Sequence, residues 1–272
     1  MISPVETNSI KIDPFFGVLA PGLGWVPPLR YLLRRKRVLA LLARGPHNAL
    51  LEIGCGAGAL LVDLSRADFH CVGLESSHKA CEMATAISSA CGTGHAVFSV
   101  PDSNWRETFD TVCAFDVLEH IEDDVAALEN WVGWIKKGGR ILLSVPAHSS
   151  RFGAGDVWAG HYRRYDKKVL LKLMTDQGMR IDHVECYGFP LANITETLGV
   201  RTYRKLIKQR GEVVDKNTAS AESGIERTAY IKQFHIINST PGKFALHLCF
   251  LAQWLTRNTD FGSGYLVLAT KV

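Results

Sequence analysis

The sequence contains no Cys-x-x-Cys pair. Its seven cysteines, Cys55, Cys71, Cys81, Cys91, Cys113, Cys186 and Cys249, are odd in number and sit mostly within apolar runs. That pattern argues against a disulfide scaffold and leads us to expect reduced, buried thiols in a cytoplasmic protein. No late apolar run reaches the roughly 20 residues needed to cross a bilayer. The most apolar one, Phe244 to Leu255, is interrupted by His247 and Gln253 and reads as a buried or interfacial helix. The start, Met1-Ile2-Ser3-Pro4-Val5-Glu6, lacks a basic stretch followed by an apolar one, so secretion is not expected. No His-Glu-x-x-His or comparable ligand spacing occurs, and no metal is expected. The acids from Glu119 to Asp124 instead suit the N-terminus of a helix, where negative charge is favoured. Internal repeats and low-complexity tracts are also missing.

Charge of either sign is modest. The net charge is +4, with 47% hydrophobic and 21% charged residues over 272 positions, which suits one large globular core with an elaboration. Much of the positive excess is local: Arg30, Arg34, Arg35, Lys36, Arg37 and Arg44 lie in or beside a segment where Leu and Val recur every three or four residues. This is an amphipathic basic helix. It either covers the sheet edge with a solvated charged face or touches an anionic membrane surface or acidic substrate.

From residue 48 onward, short apolar runs alternate with helix-length segments. The runs are Ala49 to Ile53, Cys71 to Glu75, Ala96 to Val100, Thr111 to Phe115 and Arg140 to Val145; Ser77 to Ala90 and Asp123 to Lys137 read as helices. Buried strands separated by helices predict βαβ units and an α/β fold with a parallel sheet covered on both faces. A Gly- and aromatic-rich loop (Ala147 to Tyr165), a helix (Asp166 to Gln177) and two further strands (Arg180 to Tyr187 and Gly264 to Thr270) complete it. The roughly 70 residues between those two strands exceed any tight connection and are expected to form a helical cap, with a mobile polar stretch over Lys208 to Arg227. The expected organisation is an N-terminal helical segment (1–45), a binding core (46–188), a helical cap or lid (189–262) and a last core strand (263–272).

Gly54, Gly56 and Gly58 follow the first strand and precede a helix, where backbone must pass close to a ligand. Gly54-x-Gly56-x-x-Ala59 with Glu75 further on also fits the dinucleotide fingerprint, so a nicotinamide-dependent oxidoreductase stands as an alternative. Glu52 weighs against it, because an acid there suits the amino group of a methionine moiety and repels a pyrophosphate. With Leu51-Glu52-Ile53-Gly54-Cys55-Gly56-Ala57-Gly58, Asp116-Val117-Leu118-Glu119-His120-Ile121 and Lys137-Gly138-Gly139-Arg140, residues 46 to 187 resemble the class I S-adenosylmethionine-dependent methyltransferases. The resemblance implies a Rossmann-like, mostly parallel seven-stranded sheet and S-adenosylmethionine as cofactor. It also implies that Glu52 and the three glycines wrap the methionine part, Glu75 binds the ribose hydroxyls, Asp102 meets the adenine amine, and Asp116 ends the fourth strand beneath the cofactor. A non-catalytic S-adenosylmethionine-binding protein is a third reading.

Methyl transfer from a sulfonium rests largely on near-attack positioning, and only a hydroxyl or similar acceptor needs a base. Loops at the carboxyl ends of strands line such sites, which makes His148 and His161 the candidate bases. Each is alternatively a structural histidine. Trp158, Tyr162, Arg163 and Tyr165 are candidate acceptor contacts, through aromatic walls or a bidentate guanidinium. Glu119 and His120 either hold the loop or touch ligand. The Gly160-His161-Tyr162-Arg163-Arg164-Tyr165 run resembles a feature of one large branch of these enzymes, which includes many small-molecule and glycolipid-pathway members. The fourth strand is not followed by Asn/Asp-Pro-Pro-aromatic, which argues against nucleic-acid amine methylation. The expected acceptor is small and hydrophobic or lipid-like, with a hydroxyl or amine nucleophile; a homodimer and membrane contact through the basic helix are further expectations.

Overall fold

The computed structural model describes residues 9–43, 48–210 and 228–272. Seven strands form one sheet: β3 (Ala49–Ile53), β4 (His70–Leu74), β5 (Ala96–Phe98), β6 (Phe109–Phe115), β7 (Ile135–Pro146), β8 (Met179–Tyr187) and β9 (Gly264–Lys271). Their order is β5-β4-β3-β6-β7-β9-β8, and only β9 runs antiparallel to its neighbours. The Rossmann-like α/β expectation holds. The chain steps outward from β3 to β5 and then returns to the other side of β3 with β6. That reversal leaves a crevice at the carboxyl ends of β3 and β6, where ligands bind in open α/β sheets.

Alternation along the strands divides the core in two. Leu51, Val112, Ile141 and Val267 pack with Leu128 and Trp131 of α4 (Asp124–Trp134) and with Leu170 and Met174 of α6 (Lys167–Asp176). Leu50, Cys113, Leu142 and Leu266 pack on the other face with Val38 and Leu42 of α1 (Leu29–Leu42) and with Leu60, Leu61 and Leu64 of α2 (Ala59–Ser65). Helix α3 (His78–Cys91) starts where Ser77 Oγ accepts from Ala80 N and stops at left-handed Gly92.

Three features go beyond the sequence reading. The N-terminal segment is not purely helical: β1 (Lys11–Asp13) and β2 (Gly17–Leu19) form an antiparallel hairpin. The Ala147 to Tyr165 loop contains a 3-10 turn and a short helix, α5 (Ala154–Ala159). Basic helix α1 does not present a solvated charged face. Arg30, Arg34, Arg35 and Arg37 are paired with Asp116, Glu196, Asp63 and Glu185, and Lys36 alone among the described members of that cluster is exposed. The membrane contact expected through this helix therefore loses its physical basis.

Among the described residues, the segment expected to form the cap contains α7 (Leu191–Arg210), α8 (Thr228–Ile237) and α9 (Thr240–Thr256). Fully buried Gln253 fastens α9 to the core by donating to Leu33 O at 3.1 Å and accepting from Gly188 N at 2.9 Å. Phe15 and Phe16 of the N-terminal segment pack against Phe234 and Phe250 of the cap. The expected mobile stretch falls mostly on 211–227, outside the described residues.

Candidate functional site

The strand-loop-helix turn after β3 forms the floor of the crevice. Gly54, Gly56 and Gly58 all have positive φ (66°, 55° and 69°), which side chains resist. A Cβ on Gly54 would meet Val117 Cγ2 at 2.5 Å, so that glycine is required by packing against the loop after β6. A Cβ on Gly56 would meet nothing within 4 Å, so that glycine faces open space.

Glu75 directly follows β4, beside this turn. Its Oε2 accepts from Gly56 N at 2.9 Å and its Oε1 from Ser77 N at 2.8 Å, tying the glycine turn to the start of α3. Glu52 is 5% exposed and its Oε2 has no hydrogen-bond partner. Burial, opposed by Arg34, pushes its carboxyl up to about 8. A cation bound beside it would favour its ionised form. This orphaned oxygen and the open face at Gly56 fit the ammonium and backbone-hugging methionine of S-adenosylmethionine. Asp102 lies four residues beyond β5, exposed, with Oδ1 accepting from Asn104 N at 2.8 Å.

Asp116 is drawn into a network that the sequence did not reveal. Its Oδ2 accepts from Arg34 and Arg30, and its Oδ1 from Ser144 Oγ at 3.2 Å and Tyr187 OH at 3.4 Å. Burial works against the carboxylate, yet Arg34 and Arg30 hold it well below the usual range. Arg30 also reaches Glu196 of the cap at 3.1 Å, and Arg164 lies 3.6 Å from the same carboxylate. Glu196 thus links α7, α1 and the loop carrying His161.

His161 stands at the other end of that network. Its Nδ1 lies 2.9 Å from Asp156 Oδ1, and its Nε2 lies 4.0 Å from Glu119 Oε1. Burial resists ionisation of Asp156, but hydrogen bonds from His161 and Arg164 bring it down to about 2. Glu119 is fully buried, neither carboxyl oxygen has a partner, and burial with the nearby charge of Asp116 pushes it well above the usual range. Burial, then His161, lowers His120 to about 4, so its ring is neutral. The His120 and His161 rings meet edge to face at 4.5 Å. Glu119, His120 and His161 offer donor atoms within 4.8 Å of one another.

Other expected residues take different places. His148 has φ 65° and an Nδ1 3.5 Å from Tyr265 OH. Arg163 bonds Asp124 at 2.7 Å and Glu122 O, and buried Tyr165 donates to Asp124 at 2.7 Å. Both fasten the loop to the start of α4, so the geometry does not turn them toward an acceptor. Trp158 packs near Tyr203 of α7, ring centroids 5.3 Å apart. Tyr162 is half-buried, its backbone N–H bonded to Glu119 O at 2.8 Å. Sequence reasoning missed Arg30, Arg34, Asp156 and Glu196. Asp156 alone had a local signal, lying five residues before His161.

The Methyltransferase domain family matches residues 28–184, more than half of the chain. Phosphoethanolamine N-methyltransferase 1 of Triticum aestivum is 30% identical over 139 residues, 47% of this chain and 28% of that protein. Ubiquinone biosynthesis O-methyltransferase of Rhizobium leguminosarum bv. trifolii is 25% identical over 190 residues, 61% of this chain and 75% of that protein. The chain spans well under half the length of the plant phosphoethanolamine N-methyltransferases it matches. Among solved structures, Haemonchus contortus phosphoethanolamine N-methyltransferase 2, in complex with S-adenosyl-L-methionine, shares the fold with TM-score 0.51 and 18% identity over 87% of this chain and 52% of that one. With the sheet order, the glycine turn and the family match in agreement, the chain belongs to the class I, S-adenosylmethionine-dependent methyltransferase family.

Proposed function

We propose that this protein transfers a methyl group from S-adenosylmethionine to a hydroxyl, or an amine, of a small, apolar or lipid-like acceptor. The observation that carries the acceptor chemistry is the Asp156–His161 pair. An ionised Asp156 only accepts hydrogen bonds, so His161 Nδ1 donates to it and Nε2 is directed toward the buried Glu119–His120 corner. This pairing supports reading His161 as an oriented general base.

When bound, the cofactor supplies a methyl group on a positively charged sulfur with a neutral leaving group. In this reading Glu52 binds the ammonium of the methionine moiety, Glu75 the ribose hydroxyls, and Asp102 closes the adenine end. Arg34 and Arg30 exchange part of their bonding to Asp116 for the methionine carboxylate, a bidentate partner guanidinium suits well. His161 Nε2 takes the acceptor proton and Asp156 steadies the resulting imidazolium. Trp158 and Tyr162, near the α5–α7 contact, flank the acceptor. His148 is the second candidate base.

Phe15 and Phe16 pack within the cap and do not themselves argue for a hydrophobic acceptor. The choice rests on the apolar character of the cap and on the name of one relative, an O-methyltransferase of ubiquinone biosynthesis. The test is an acceptor screen with radiolabelled S-adenosylmethionine across prenylated phenols, hydroxylated lipids and amino alcohols. Label transfer to a phenol or lipid hydroxyl supports the reading. Cofactor binding with no transfer to any acceptor would favour a non-catalytic binding protein.

A further inference from the structure

Helix α9 has two opposed sides. Leu246 and Gln253 face the core, with 4% and 0% exposure. Phe244, Leu248, Leu251 and Leu255 follow one another at intervals of four, three and four residues, which at 3.6 residues per turn places them in one narrow stripe opposite Gln253. They are 65%, 53%, 54% and 64% exposed, so the stripe is apolar and faces outward. Trp254 stands on its shoulder with Arg257 over its ring at 4.5 Å, and exposed Phe261 extends the surface past the helix end.

The segment that carries the stripe has an excess of cations. Over 189–262 there are ten Lys and Arg against six Asp and Glu. Outside 211–227 the only acids are Glu196, turned inward onto Arg30 and Arg164, and Asp260. Arg201, Arg204, Lys205 and Lys208 on α7 are all exposed, and α9 itself contains no acid.

We propose that the outer face of the cap docks on a bilayer containing anionic phospholipid. Phe244, Leu248, Leu251 and Leu255 enter the acyl boundary, Trp254 and Arg257 sit at headgroup level, and the α7 cations meet lipid phosphates. An amphipathic helix with an aromatic at the interface and flanking cations binds membranes in this way, lying in the interface plane. No described helix is long and apolar enough to cross the membrane, so the contact is peripheral. A second copy fits less well, because a two-fold contact would bring together two segments with the same excess of positive charge. The surface also differs from the one the sequence pointed to: the arginines of α1 are spent inside, and those of α7 are free to face outward.

The test is co-sedimentation of the purified full chain with vesicles of pure phosphatidylcholine and of phosphatidylcholine with 30% phosphatidylglycerol, compared with the Leu248→Glu/Leu251→Glu double variant. Both altered positions are exposed, and unchanged thermal unfolding confirms that the variant folds. The proposal expects wild-type binding to anionic vesicles at least tenfold tighter than to neutral ones, weakening as salt rises, and lost in the double variant. Equal sedimentation of wild type and double variant overturns it. So does a wild-type dimer, seen by sedimentation velocity and dissociated by the double variant, in protein that ignores vesicles; that result assigns the stripe to a second copy. Vesicle binding needs no methyl acceptor, so its outcome is independent of the catalytic reading.

Discussion

His161 Nδ1 and Arg164 Nε both bond to Asp156 Oδ1, at 2.9 Å and 2.8 Å. One carboxylate oxygen therefore fixes the ring that meets His120 and the guanidinium that leans toward Glu196 of the cap. If His161 is the base, His161→Ala lowers kcat by about 10²- to 10⁴-fold with cofactor affinity unchanged. Asp156→Asn gives a smaller loss in kcat because the ring remains but its orienting charge is gone. Steady-state kinetics with separately measured cofactor binding checks this; a loss confined to KM would refute the base assignment.

Arg37 makes a bidentate pair with Glu185 at 2.7 and 2.8 Å, with the Glu185 side chain fully buried. His183 also bonds Glu185, at 2.9 Å. Removing the guanidinium strands a buried charge, so Arg37→Ala is expected to cost about 3–5 kcal/mol in urea unfolding. A change below about 1 kcal/mol would show that His183 and solvent suffice.

Glu52 predicts a pH dependence. In the folded protein its carboxyl keeps its proton up to about 8, whereas an unfolded chain releases it near 4.3. Folding therefore takes up a proton between those values, and stability falls as pH rises through that window by at most about 1.4 kcal/mol per unit. Glu52→Gln removes the penalty and raises ligand-free stability at pH 8. Cofactor binding shows the opposite sign: an ammonium requires the carboxylate, so affinity rises with pH up to about 8. Titration at pH 7 in buffers of different ionisation enthalpy is expected to detect nearly one proton released.

The three donors Glu119, His120 and His161 also allow a direct check on metal. Their donor atoms all lie within 4.8 Å of one another, and the acid–base reading needs no ion there. Activity after exhaustive dialysis against chelator is expected to match that of untreated protein. A loss restored by zinc or magnesium would instead make Glu119, His120 and His161 metal ligands and contradict the assignment of His161 as base.

The parts of this site governed by local spacing were legible in the sequence. Gly54, Gly56 and Gly58, with Glu52 and Glu75 at two strand ends, form a turn whose geometry depends on neighbouring residues, and the βαβ alternation followed from apolar runs. Residues whose role depends on distant partners were not legible. Arg34 and Asp116 are 82 positions apart and Arg37 and Glu185 are 148 apart, so helical periodicity alone showed a basic face without its inward acids. Arg163 and Tyr165 looked like acceptor contacts because nothing local reveals that Asp124 takes both. The β1–β2 hairpin escaped because three-residue strands carry almost no periodic signal.

The most consequential proposal is that the crevice at the carboxyl ends of β3 and β6 holds S-adenosylmethionine through Glu75 and the glycine turn. It is tested most directly by calorimetric titration of wild type and Glu75→Ala with S-adenosylmethionine, S-adenosylhomocysteine and NAD. Micromolar binding of the two sulfur nucleosides to wild type, at least tenfold weaker in the variant, with no heat from NAD, is the expected result. Binding of NAD alone, or equal binding of the sulfur nucleosides by both proteins, would contradict it.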